Sequence, residues 1–142
     1  VNGFLLDTNI PSETLRPYPD PKVIRWLRAG SSKDAQFISV VSIGELRRGA
    51  ALLPASARRT QLERFLVLTL PEWFESRILP VTETIADRWG VLDARRQLAG
   101  KPITIADGLI AATALEHGLT IATRNVRDFA DLELPIINPW DN

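Results

Sequence analysis

The chain has 142 residues and a mass of 15.8 kDa, which predicts one domain over residues 1–142 and leaves no room for a second of ordinary size. Hydrophobic residues make up 45 % and charged residues 24 %, a globular balance. With no cysteine and only His117 among the histidines, the composition excludes disulfides, thiolate zinc sites, cysteine nucleophiles and multi-histidine metal sites, and a net charge of zero leaves any nucleic-acid contact to local patches.

Phe4-Leu5-Leu6 is an uninterrupted apolar run ending at Asp7, which predicts a strand buried on both faces. Pro11, Pro17, Pro19 and Pro21 punctuate the next stretch, with a short helix around Ser12 to Leu15. Pro21 suits the first turn of a helix carrying Val23, Ile24 and Leu27, closed by Gly30-Ser31-Ser32. Phe37-Ile38-Ser39-Val40 reads as a second buried strand. Ser42 then caps a helix whose Ile43, Leu46, Ala50 and Leu53 recur at helical spacing before Pro54. A charged helix follows from about Ala55, with Leu62, Phe65 and Leu66 on its apolar side. Ile78-Leu79-Pro80-Val81 predicts a short strand near a sheet edge, because proline cannot serve a central ladder. Thr82 caps a long helix striped by Ile85, Trp89 and Leu92 and stopped by Gly100. Thr104 caps an alanine-rich helix stopped by Gly118. Thr120-Ile121-Ala122 and Ile136-Ile137 are the last strands. Strands alternating with helices from end to end predict an α/β three-layer sandwich, a parallel sheet with helices on both faces. No apolar run approaches the ~20 residues that span a bilayer and no signal pattern opens the chain, so a cytoplasmic protein without membrane association is expected.

In such sheets, function collects beyond the carboxyl ends of the strands. Four acids fall there: Asp7 ending the first strand, Glu45 and Asp107 just inside helices, and Asp128 after the strand at Thr120. Ser42-Ile43-Gly44-Glu45, Thr104-Ile105-Ala106-Asp107 and Asn125-Val126-Arg127-Asp128 each place an acid three residues after a capping residue. Capping, worth roughly 0.5–2 kcal/mol, accounts for each of these alone. It accounts neither for Asp7, since Thr8-Asn9-Ile10-Pro11 begins no clean helix, nor for several acids gathering at one sheet edge. Mutually repelling carboxylates call for a cation, and an all-oxygen donor set selects Mg²⁺ or Mn²⁺ over zinc. Helix N-termini favour the ionised form of such ligands. The residues by themselves point to magnesium-assisted hydrolysis of phosphodiesters.

Four blocks of the sequence resemble the PIN-domain ribonucleases, and within them the VapC and FitB toxins of bacterial toxin–antitoxin pairs. They are Phe4-Leu5-Leu6-Asp7-Thr8-Asn9, Ile38 to Gly49, Ile105 to Ala114 and Thr123 to Phe129, in the family's order, with the likeness running to Pro139-Trp140. The resemblance implies a five-stranded parallel sheet and a metal-dependent endoribonuclease. It also implies a homodimer silenced by a cognate VapB- or FitA-like antitoxin, through which operator DNA is bound in a larger assembly. Matched by motif, Asp7, Glu45 and Asp107 correspond to the core acidic triad, with Asp7 and Asp107 the expected Mg²⁺ ligands. Asp128 is assigned as the fourth acid, supported by Asn125, because this chain has Asn125 where many relatives have Asp. Thr8, Asn9 and Thr123 are expected to orient the first carboxylate or water on the metal.

Arg47, Arg48, Arg124 and Arg127 lie near these acids and suit contacts to substrate phosphates or to a partner, whereas Arg58, Arg59 and Arg64 suit a solvated helix face. His117 suits the carbonyls and dipole of a helix C-terminus. Trp26, Trp73, Trp89 and Trp140 suit packing, although Trp73 with Phe74 also suits lining a groove for an antitoxin helix. A non-catalytic PIN-like module binding RNA or protein is the alternative; it has no need to keep repelling carboxylates together. Aspartyl-phosphate enzymes fit poorly, since Asn9 stands where such phosphatases carry a second Asp and none of Lys22, Lys33 and Lys101 follows the strand at Thr120.

Overall fold

The computed structural model describes residues 3–141. Five parallel strands, β1 (Phe4–Leu6), β2 (Gln36–Ser39), β3 (Ile78–Leu79), β4 (Thr120–Ala122) and β5 (Ile136–Ile137), form one sheet in the order β3-β2-β1-β4-β5. Leu5 pairs with Phe37 on one side and Ile121 on the other, which puts β1 at the centre. β3 is an edge strand, as expected, but it stops at Leu79, so Pro80 and Val81 lie beyond it rather than in its ladder.

The apolar runs of β1 and β4 are explained by two cores, one on each face. Alternate strand residues point to opposite faces, so Leu6 and Ala122 join one core with Ile10, Val23, Ile38, Leu46, Phe65 and Phe74. Leu5 and Ile121 join the other with Leu92, Ile110, Ala114 and Phe129. The helices on the first face are α1 (Asn9–Glu13), α2 (Pro21–Arg25), α3 (Val40–Leu52), α4 (Ala57–Arg64) and α5 (Leu70–Phe74). A π turn at Phe65–Thr69 joins α4 to α5; that widened turn accommodates Pro71, which has no N–H to give an α-helical ladder. The second face carries α6 (Glu83–Leu98), α7 (Ile105–His117) and α8 (Val126–Phe129).

Several expectations shift. α3 begins at Val40 rather than after Ser42, because Ser39 is the cap: its hydroxyl accepts from the Val41 N–H at 3.0 Å. Ser42 is an interior helical residue with no exposed surface. α1 begins at Asn9, three residues before the predicted Ser12, with the Ile10 N–H donating to the Asp7 carbonyl at 3.0 Å. Asn125 precedes α8 but makes no side-chain cap. Phe74 is core rather than groove lining, and Trp73 packs beside it. Phe74 is fully buried, Trp73 stacks on it with ring centroids 4.8 Å apart, and the Trp73 indole N–H donates to Gln36 Oε1 at 2.9 Å. The Thr82 and Thr104 caps form as predicted, and Gly118 ends α7 at φ 62°, in the left-handed region that suits glycine.

Candidate active site

The chain builds β1, β2 and β3 outward on one side and then returns to place β4 and β5 on the other. That reversal leaves a crevice beyond the carboxyl ends of β1 and β4, the usual location of sites in open parallel sheets. Asp7 follows β1 and Thr123 follows β4. Because Leu6 and Ala122 are in register, their successors meet: the Thr123 hydroxyl donates to Asp7 Oδ2 at 2.7 Å, in a fully buried contact. The Thr8 N–H donates to Asp7 Oδ1 at 2.8 Å, and the Asn9 amide reaches Oδ2 at a longer 3.4 Å. The Asn125 N–H holds the Thr123 hydroxyl oxygen at 2.9 Å.

Asp7 is 4 % exposed. Burial pushes its carboxyl up to about 6 from an ordinary 3.8; the hydrogen bonds from Thr123 and Thr8 oppose that rise, and the charges of Asp107 and Glu45 add to it. Asp107 is half-buried in the first turn of α7, where its N–H donates to the Thr104 hydroxyl oxygen at 3.2 Å. Its carboxyl is also raised, first by burial and then by the charges of Asp128 and Glu45, with Thr104 opposing. Burial is thus the largest influence on Asp107, ahead of the Thr104 hydrogen bond that opposes it. Glu45 is exposed and reaches the centre through Thr8, whose Oγ1 lies 2.6 Å from Glu45 Oε1 and 2.9 Å from Ser42 Oγ. A single hydroxyl proton serves the carboxylate, which leaves Ser42 the donor in the second contact. Asp128 and Asn125 stand exposed at the rim.

The fold thus brings Asp7, Glu45 and Asp107 within electrostatic reach of one another, with Asp128 acting on Asp107. Among the described residues, no three acidic or histidine side chains already close into a ligand cage. The donor chemistry nonetheless fits a hard divalent cation: the set is all oxygen, its members repel one another, and the buried Asn9 Oδ1 has no hydrogen-bond partner. The arginines divide. Arg47 ion-pairs with Glu63 at 4.0 Å on the α4 side. Arg124 lies over the Trp140 ring, 5.4 Å from its centroid. Arg48 and Arg127 are exposed. Arg58 and Arg59 are less free than a solvated face implies, since they donate to the Leu15 and Leu53 carbonyls at 3.0 and 3.1 Å.

Two positions were not singled out from sequence. Ser42, read as a cap, belongs instead to the hydroxyl chain that reaches Glu45. Gly108, next to Asp107, lets α6 press against α7: a Cβ there would stand 2.8 Å from Trp89 Cδ1. A glycine directly after an acid in an otherwise alanine-rich helix is the one sequence signal that could have marked it.

Residues 4–133 match the PIN domain family. The toxin FitB of Neisseria gonorrhoeae is 39 % identical over 137 residues, which are 96 % of this chain and 98 % of that protein. The VapC ribonuclease Y4jK of Sinorhizobium fredii is 37 % identical over 138 residues, covering 97 % and 98 % of the two chains. A solved FitAB complex bound to a DNA fragment superposes with a TM-score of 0.87 at 36 % identity, covering 96 % of this chain and 95 % of that one. The chain belongs to the PIN-domain family. Within it, the chain groups with the VapC/FitB-like toxins of toxin–antitoxin systems.

Proposed function

We propose that this protein is a toxin acting as a Mg²⁺-dependent endoribonuclease, with Asp7, Glu45, Asp107 and Asp128 as its acidic set. The observation that carries this reading is a buried carboxylate, Asp7, raised to about 6 and flanked by two further acids at the switch point of a PIN sheet. Uncompensated charges of this kind are costly unless a cation or a reaction uses them. Asp7 and Asp107 would hold the metal, with Glu45 and Asp128 completing the charge at the rim. A divalent cation held there would supply a lowered pKa for water and charge stabilisation for a phosphoryl group. Thr123 and the Thr8 N–H favour the ionised Asp7 carboxylate against its burial and would fix its direction. Glu45, exposed and hydrogen-bonded to Thr8, would accept a proton from attacking water. Asn9 and Asn125 support these groups, and Mn²⁺ is a chemically equivalent substitute.

Partners follow from the relatives. A VapB- or FitA-like antitoxin is expected to silence the enzyme and to link it to operator DNA, with the toxin itself a homodimer in the cytoplasm. No helix among the described residues is long and apolar enough to cross a membrane. The decisive experiment is cleavage of total RNA by antitoxin-free protein with Mg²⁺ or with EDTA, beside Asp7→Asn. Fragments that need metal and vanish in the variant are expected; no cleavage by folded protein with any divalent metal would favour a binding module instead.

A further inference from the structure

A cleft of about 600 Å³ is lined in part by Glu13, Arg16, Tyr18, Asp20, Arg124 and Trp140. Two chain connections tie it to the site. Arg124 directly follows Thr123, whose hydroxyl holds Asp7. Glu13 stands one turn of α1 beyond Asn9, a rise of about 6 Å.

Its wall is built, and it carries an exposed ring. Glu13 is 4 % exposed and fixes the cleft wall with both oxygens: Oε1 pairs with Arg16 at 3.3 Å and Oε2 accepts from the Asp20 N–H at 2.7 Å. The turn so held presents Tyr18, which is 91 % exposed, a large ring with no packing duty. Arg124 lies over the Trp140 ring, 5.4 Å from its centroid, and pairs with no carboxylate among the described residues; Trp140 itself is buried, so the guanidinium is what the cleft presents there. Arg16 has guanidinium donors beyond the one that meets Glu13. Two arginines balance two acids here, so net charge contributes little and flat surfaces contribute most. Bases of single-stranded RNA are recognised in this way, by stacking on aromatic rings and arginine planes with phosphates held alongside. Pro17, Pro19 and Pro21 complete the lining, and their fixed backbone stiffens the turn that carries the Tyr18 ring.

We propose that the Tyr18–Arg124–Trp140 cleft is a subsite for a nucleotide flanking the scissile phosphate, its base stacked on Tyr18 and its phosphate held by Arg124. This rests on the ribonuclease reading above. Tyr18 and Arg124 are then specificity residues, and Glu13 is a positioning residue for the turn that carries Tyr18.

The test uses the full chain carrying Asp7→Asn, so that RNA binds without being cut, and a short labelled single-stranded RNA of mixed sequence as the probe. Tyr18→Ala is expected to weaken binding roughly tenfold, the scale of losing one stacked base. Tyr18→Phe, which keeps the ring, should retain it. Arg124→Gln should lower the slope of log affinity against log salt by about 0.7, one phosphate on a single strand. Arg95→Gln, the same charge change on the exposed side of α6, serves as control. With Asp7 restored, Tyr18→Ala should raise KM. Unchanged RNA affinity in Tyr18→Ala and Arg124→Gln, in a protein whose parent binds and cuts RNA, overturns the subsite alone. So does unchanged RNA affinity with weakened capture of a co-purified antitoxin, which would assign the cleft to a protein partner. If the parent neither binds nor cuts RNA, the ribonuclease reading fails first.

Discussion

Asp7 and Glu45 are linked through a single threonine, yet they occupy opposite surroundings. Asp7 is held by two strand ends, buried, hydrogen-bonded on both oxygens and pushed up to about 6. Glu45 rides on α3, exposed, with one short contact to Thr8. The buried acid has its direction set in advance and is costly to ionise; the exposed one has few neighbours to fix its direction. A site assembled from both kinds has a rigid anchor and an adjustable rim.

The largest effect that tests this division is expected at the anchor. Asp7→Asn should reduce RNA cleavage by ~10³-fold or more, the scale of losing several kcal/mol of metal-assisted stabilisation. Glu45→Gln should cost less, and equal losses in the two variants, measured as kcat/KM, would erase the distinction. The same Asp7→Asn change should make the metal-free protein more stable. Its folded pKa of about 6 lies above the ordinary 3.8, so between those values the folded state binds more protons than the unfolded chain. Stability therefore falls as pH rises from about 4 to about 6 and stays lower above it. At pH 7 the variant should gain about 2–3 kcal/mol in denaturant unfolding, two pKa units at ~1.4 kcal/mol each, and the gain should disappear below about pH 4. A gain that persists at acid pH would mean that ionisation is not its source.

Thr123→Val removes a hydrogen bond that favours the ionised Asp7. It should raise the Asp7 pKa further, move the acid limb of the activity profile upward, and lower activity roughly 10- to 100-fold. A lowered rate with an unmoved limb would reassign Thr123 to a purely steric role. The smallest effects contrast two glycines, each beside a site acid. Gly108→Ala meets Trp89 at 2.8 Å and should cost about 1–3 kcal/mol by overpacking. Gly44→Ala has nothing within 4 Å and should stabilise α3 by roughly 0.5–1 kcal/mol. Thermal unfolding reads both, and the same sign in the two would show that α6 yields to the added methyl.

The sequence by itself determined the alternation of strands and helices, the edge position of β3 and the caps at Thr82 and Thr104, because hydrophobic runs, proline and capping are local signals. It also marked the four acids, since their types and places at element ends are visible in one dimension. Local chemistry failed where two residues offered the same service. Ser39 and Ser42 can each cap a helix, and only the docking of α3 on the sheet, which buries Ser42 against Thr8, decided between them. Only the tertiary structure separated Asp7 from Glu45, since burial is a property of what packs around a carboxylate. It decided equally that Trp73 and Phe74 belong to the core while Tyr18 does not. The physical reason is common to all three: desolvation and contact depend on neighbours far away in the chain, and strand register, here Leu6 against Ala122, brings those neighbours together.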